Sequence, residues 1–187
     1  MLTLGQHFHD FLSFWDALPR TLHPFLPAKA DITPANCGKL LPHMGIGRYN
    51  APGNIYVLFY GTLLEKATGI APTGKNFFDT LPPESHEAIK LFHSIIFERM
   101  CAAYVVYLIA SSDKLYYSYR TLQLPAVDEE GIPRYLIIYG TALQPEHNYN
   151  KRAFMGMDQK NVKEMHYIDL GNGAPTFKIE KYTLHKE

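Results

Sequence analysis

The chain has no excess of charge of either sign, little cysteine and no long apolar run, and each shortage removes a class of function. Eighteen Lys and Arg cancel eighteen Asp and Glu, so no global field draws the protein to nucleic acid or to anionic lipid. Cys37 and Cys101, the two cysteines, form neither a C-x-x-C pair nor a dense framework. That argues against a disulfide scaffold and for a reducing compartment, the cytoplasm. No run approaches the roughly 18 apolar residues of a membrane span. The first nineteen residues contain no Lys or Arg and are interrupted by His7, His9, Asp10 and Asp16, which is not the pattern of a signal peptide. What remains is 187 residues, 47% apolar and 13% aromatic, enough for one soluble domain with extensions and a sizeable core.

The chain is organised around residues 54–83, NIYVLFYGTLLEKATGIAPTGKNFFDTLPP. The apolar run 55–60 is rich in β-branched and aromatic residues and too short for a buried helix, so it reads as a core strand covered on both faces. Gly61 breaks it, Thr62 caps a short helix through Ala67, and Gly69 stops that helix. The stretch 70–84 is turn-rich but carries Ile70, Phe77, Phe78 and Leu81, anchors that imply a compact wrap.

Before this stretch, Leu4, Phe8, Phe11, Leu12, Trp15 and Leu18 recur at three and four, an amphipathic helix over 4–18 that Pro19 cannot continue. Its stripe has to be covered, either by its own domain or by a second copy. A proline-interrupted connector leads to a helical turn or two over 34–41 and a short strand over 43–49. After the wrap, 83–100 is a long helix with Ala88, Leu91, Phe92, Ile95 and Ile96 on one face. Segments 101–110, 114–124 and 134–143 are three strands of an antiparallel meander. The fold class is α+β: a five-stranded antiparallel sheet with helices on one face, an N-terminal amphipathic helix over 1–25 with its connector, a central domain over 26–145 and a C-terminal extension over 146–187. Within that extension, 146–164 is polar and arm-like, and 165–170 with 176–184 about the GNG turn reads as a hairpin.

The order of strand, small helix ending in Gly, TGK turn, apolar wrap and L-P-P-E helix entry resembles the PAS domain. LPAKADITP (26–34), LLPH (40–43), GT (61–62) and TGK (73–75) resemble more narrowly a bacterial family of stand-alone single-domain PAS proteins, over about residues 26–143. The resemblance implies the sheet order 2-1-5-4-3, a sensory or regulatory domain with no catalytic output, an unidentified small-molecule ligand, a regulatory protein partner and a homodimer through the N-terminal helix. Flavin photosensors of the class resemble GKNFFD but need a cysteine where this chain has Phe77, which excludes a flavin–cysteine adduct there. Haem-binding members ligate iron from the long helix. On a wheel at ~100° per residue, His93 falls about 140° from the centre of the apolar face, turned away from a pocket. Noncovalent flavin is not excluded by the missing cysteine, and the cofactor stays unidentified, with haem and flavin both disfavoured.

Other chemistry is weak. Gly69 to Lys75 spells G-x-x-x-x-G-K, but Asn76 stands where Ser or Thr would hold magnesium, and Pro82 and Pro83 interrupt the helix that would receive phosphate. The histidines are scattered and suggest no metal site. No nucleophile elbow or activated thiol marks an enzyme, although a small enzyme acting on an aromatic or acyl substrate, or a purely structural interaction module, are the alternatives to a sensor. Nine of the thirteen tyrosines lie on the core strand 55–60 and the meander strands 101–110, 114–124 and 134–143, and a buried tyrosine brings apolar area with a hydroxyl that needs a partner. A cavity between sheet and long helix is expected to draw its ligand contacts from Tyr56, Tyr60, Phe92, Ile96, Tyr117, Tyr119 and Tyr139. Alternation puts Tyr117 and Tyr119 on the inward face of their strand, with Tyr135, Ile137 and Tyr139 as the matching choice on the last.

Overall fold

The computed structural model describes residues 8–110, 116–145 and 162–175. Strands β1 (Met44–Ala51) and β2 (Asn54–Tyr60) form a hairpin. Helix α3 (Thr62–Thr68), short 3-10 turns at Phe77–Thr80 and Pro83–Ser85, and helix α4 (His86–Arg99) make up the helical middle. Strands β3 (Ala102–Ala110), β4 (Tyr116–Val127) and β5 (Pro133–Pro145) follow, and β6 (Val162–Ile168) comes last. Upstream lie α1 (His9–Ala17) and α2 (Pro34–Cys37), the latter closed by a capping box in which Thr33 and Asn36 satisfy each other's backbone amides. The sheet is antiparallel throughout and runs β2-β1-β5-β4-β3-β6.

The expected order 2-1-5-4-3 is present, with a sixth strand added. Val162–Ile168 pairs with β3, Val105 opposite Met165. The first arm of the expected C-terminal hairpin is thus an edge strand of the main sheet. Its other arm, 176–184, lies outside the described residues.

Both faces of this sheet are covered, which explains why β3 is almost continuously apolar. On one face Ala103, Val105, Tyr107, Tyr119 and Leu136 pack with Ile89, Phe92 and Ile96 of α4. Tyr49 of β1 stacks on Phe97 at 4.0 Å and its hydroxyl lies 3.4 Å from Ser94 Oγ, tying α4 to the sheet. On the other face Tyr104, Val106, Leu122, Leu124 and Ile137 pack with Phe8, Phe11, Trp15 and Leu18. Phe8, Phe11, Trp15 and Leu18 of the N-terminal stripe are therefore covered by their own sheet, Leu12 stays half-buried, and Leu4 lies outside the described residues. Phe11 and Phe8 are fully buried, and Phe11 stacks on Tyr139 at 4.6 Å and 10°.

Two local expectations are corrected. β2 is an edge strand with one face in the core: Ile55 and Val57 are buried while Tyr56 and Leu58 are 43% and 42% exposed. Gly61, not Thr62, occupies the N-cap of α3, with no side-chain cap. A Cβ at Gly61 would meet the Leu41 carbonyl oxygen at 2.6 Å and the Pro42 carbonyl closer still, so the backbone contact at this corner requires glycine.

Candidate functional site

Between α4 and the inner face of the sheet lies a cavity of about 40 Å³. Its walls are mostly apolar: Ile55 and Val57 from β2, Leu136 and Ile138 from β5, Ile89 and Phe92 from α4, and Phe77 from the wrap. Set into them is a row of polar side chains, His93 from α4, Tyr107 from β3, Tyr119, Thr121 and Gln123 from β4, and Tyr60 at the end of β2. The row follows from strand periodicity. Residues 119, 121 and 123 share a face, and Tyr107 stands opposite Tyr119 in the β3–β4 register.

Most of these polar atoms are satisfied within the row. His93 Nε2 lies 3.2 Å from Gln123 Oε1, and Gln123 Nε2 donates to Thr121 Oγ1 at 3.5 Å. The Tyr107 hydroxyl reaches both Gln123 and Thr121. Tyr60 Oη sits 3.3 Å from Thr68 Oγ1, which donates to the Leu64 carbonyl at 2.8 Å. His93 Nδ1 faces back towards the Ile89 carbonyl without reaching hydrogen-bond geometry. The Tyr119 hydroxyl, on a side chain only 2% exposed, has no hydrogen-bond partner among the described residues. It occupies the space left by Gly140, where any Cβ would collide with it.

Burial sets the ionisation of the row. It pushes the Tyr60 hydroxyl up to about 12, and the Tyr107 and Tyr119 hydroxyls upward as well, so all three stay protonated. The same desolvation pulls His93 down to about 4, against which the Gln123 hydrogen bond works only in part. The rings of Phe77, Phe78 and Phe92 meet His93 edge-on at 6.2, 6.3 and 5.0 Å. The site is accordingly a set of neutral donors and acceptors in an apolar shell.

Of the seven residues expected at the site, Tyr60, Phe92 and Tyr119 line the cavity. Ile96 is fully buried in the same core cluster, away from the cavity wall. Tyr56 points out of the exposed side of β2. Tyr139 is on the opposite face of the sheet, stacked on Phe11. The Tyr117 side chain lies outside the described residues. The inward choice for β5 is reversed: Leu136 and Ile138 face the cavity while Ile137 and Tyr139 face α1. With apolar residues on both faces of β5, side-chain type could not tell in from out.

His93 is a further correction, because it is 4% exposed and lines the cavity. Leu91, counted on the apolar face, is half exposed, while Ile89 and Phe97, left off it, are buried. The buried apolar positions are centred about 85° from His93, at ~100° per residue, which puts His93 at the edge of that face. The space beside it is far below the roughly 300–1,000 Å³ of a usual small-molecule site. Neither haem nor flavin fits these walls as they stand.

The G-x-x-x-x-G-K stretch has a structural part. Gly69 caps α3 in a left-handed conformation. Val57 N–H donates to the Lys75 carbonyl and Gly74 N–H to the Val57 carbonyl, both at 2.9 Å, lacing the turn to the edge of β2. Asn76 Oδ1 accepts from Ile55 N–H at 3.0 Å, and its Nδ2 donates to the Gly53 carbonyl at 3.2 Å. Among the described residues no cluster of His, Cys, Asp or Glu is arranged to hold a metal ion, and no helix is long and apolar enough to cross a membrane.

No curated protein matches the chain. Among solved structures it is similar to the LOV protein of Rhodobacter sphaeroides, at 12% identity and a TM-score of 0.42 over 56% of this chain and 61% of that one. It is also similar to the W398A PAS-B domain of Drosophila melanogaster Cycle with bound glycerol, at 16% and 0.38 over 53% and 99%. A third likeness is to the Vibrio cholerae VqmA dimer in the absence of target DNA, at 16% and 0.41 over 59% and 50%. The chain thus spans less than two thirds of the first and third of these proteins. A family model described as the PAS domain matches residues 6–138, more than half of the chain, and the protein belongs to the PAS domain family.

Proposed function

We propose that this PAS domain is a cytoplasmic sensory module of bacterial signalling, in which a small molecule enters the cavity between α4 and the sheet and a regulatory protein reads the outcome. The observation that carries this reading is the polar row from His93 to Tyr119 inside an apolar cavity, with the Tyr119 hydroxyl unpartnered. Buried polar groups cost stability unless paired, and convergent polar groups in an apolar cavity are the usual mark of a ligand site. Catalysis has less support. The lining tyrosines are pushed up and His93 is pulled down to about 4, whereas a general acid or base works best with a pKa near the operating pH.

A cytoplasmic setting accords with Cys37 and Cys101, both free and buried. The proposal includes a homodimer through the N-terminal helix. Leu12 of the stripe and Phe14 beside it stay half-buried on α1 and offer apolar area to a second copy. The test is a thermal-unfolding screen of the full chain against small metabolites. A compound that raises the midpoint with its concentration supports the reading, since only ligands that prefer the folded state do so. A screen in which no compound shifts the midpoint contradicts it.

A further inference from the structure

We infer that the molecule this cavity takes is small and uncharged, and accepts a hydrogen bond from the Tyr119 hydroxyl; this rests on the ligand-binding reading above and narrows it to a chemical class. Three observations carry it. The first is charge. Among the described residues lining the cavity there is no Asp, Glu, Lys or Arg. A bound carboxylate or ammonium would be buried with no counter-ion, at a desolvation cost that single hydrogen bonds do not offset. Nor can the lining supply one by titrating, because His93 is pulled down to about 4 and the tyrosines are pushed up.

The second is the pattern of satisfaction. Gln123 and Thr121 are engaged with His93, Tyr107 and each other, and Tyr60 is held by Thr68. Tyr119 alone among the lining hydroxyls has none of its capacity used. A hydroxyl donates one hydrogen bond readily, so the complementary atom is a carbonyl or alcohol oxygen. The third is size. A buried water needs about 10–15 Å³, so 40 Å³ holds about three or four waters or, in their place, a molecule of about three or four non-hydrogen atoms. Short ketones, primary amides and alcohols meet all three conditions.

The experiment uses the full chain, isotope-labelled, with amide and methyl resonances followed by NMR as four probes of matched size are titrated to hundreds of millimolar at constant ionic strength. Propan-2-one and acetamide are neutral, while acetate and isopropylammonium are charged. The expected result is saturable shifts at Val57, Ile89, Leu136 and Ile138 with the neutral pair only. In Tyr119→Phe, which removes the hydroxyl and keeps the ring, affinity for the neutral pair is expected to fall roughly three- to tenfold. Acetate or isopropylammonium binding as well as its neutral counterpart would overturn the inferred class while leaving a ligand cavity in place. Neutral binding unchanged in Tyr119→Phe would overturn the role of that hydroxyl. If no probe perturbs any lining residue, the inference and the reading on which it rests both fail. The comparison of neutral with charged probes needs the parent protein alone and decides the class even if the variant does not fold.

Discussion

His93→Gln should remove a specific part of the acid sensitivity of this fold. In the native protein His93 is buried among Phe77, Phe78 and Phe92, with Gln123 its polar partner. No charged group among these could stabilise an imidazolium, and the side chain titrates at about 4, against 6.5 for an unperturbed histidine. The folded value is the lower one, so the unfolded chain takes up the proton first as pH falls. The associated stability is complete above pH 6.5 and is lost progressively down to about pH 4. Between pH 7 and pH 4.5 this single group should cost the parent about 2 kcal/mol. The informative quantity is the difference between parent and variant at each pH, in which the contributions of groups common to both proteins cancel. Urea unfolding at pH 7, 6, 5 and 4.5 measures it. The variant starts less stable at pH 7, having lost a packed ring, and the gap should close by about 2 kcal/mol at the acid end. A gap that stays constant within about 0.5 kcal/mol across the series would show that His93 is not held neutral by burial, and the description of the site as an uncharged row would be refuted.

Two further substitutions test the framework around the cavity. Phe11→Ala deletes a fully buried ring stacked on Tyr139 and should cost about 3–5 kcal/mol in chemical unfolding; a loss under about 1 kcal/mol would mean that α1 is not docked on the outer face of the sheet. Gly61→Ala places a methyl group against the carbonyl oxygens of Leu41 and Pro42 and should cost about 1–3 kcal/mol, whereas an unchanged unfolding midpoint would show that this corner is looser than drawn.

The elements of the fold were legible because local signals agreed with the tertiary ones. Gly69 stops α3 where a left-handed cap is needed, proline opens the turn leading into α4, and the runs at β3, β4 and β5 are strands in the expected order. The site was only partly legible, and the reason is a sheet covered twice. On β4, Leu122 and Leu124 alternate with Thr121 and Gln123, a pattern that ordinarily sends the polar pair to solvent. Here α1 draws the leucines to the outer face, and Thr121 and Gln123 point into the cavity. The same cover brings Tyr139 under Phe11 instead of into the cavity. His93 was misplaced because the expected apolar face took in Leu91, an exposed leucine, and left out Ile89 and Phe97, which are buried on the His93 side of the helix. Nothing local to 162–168 reveals that this polar stretch pairs with β3, a contact some 60 residues away in the chain that only the folded sheet supplies.

The central claim is that the space between α4 and the sheet is open to a ligand and not a solid core, and Val57→Leu tests it most directly. Val57 is buried and lines the cavity, so one added methylene enters space that is either empty or already taken. The measurement is the unfolding free energy of parent and variant, each with and without the neutral probe that binds best. An open cavity predicts a variant within about 0.5 kcal/mol of the parent, or more stable, whose stabilisation by the probe is reduced or lost. A loss of about 1–3 kcal/mol from the added methylene, in a protein that no probe stabilises, would contradict it.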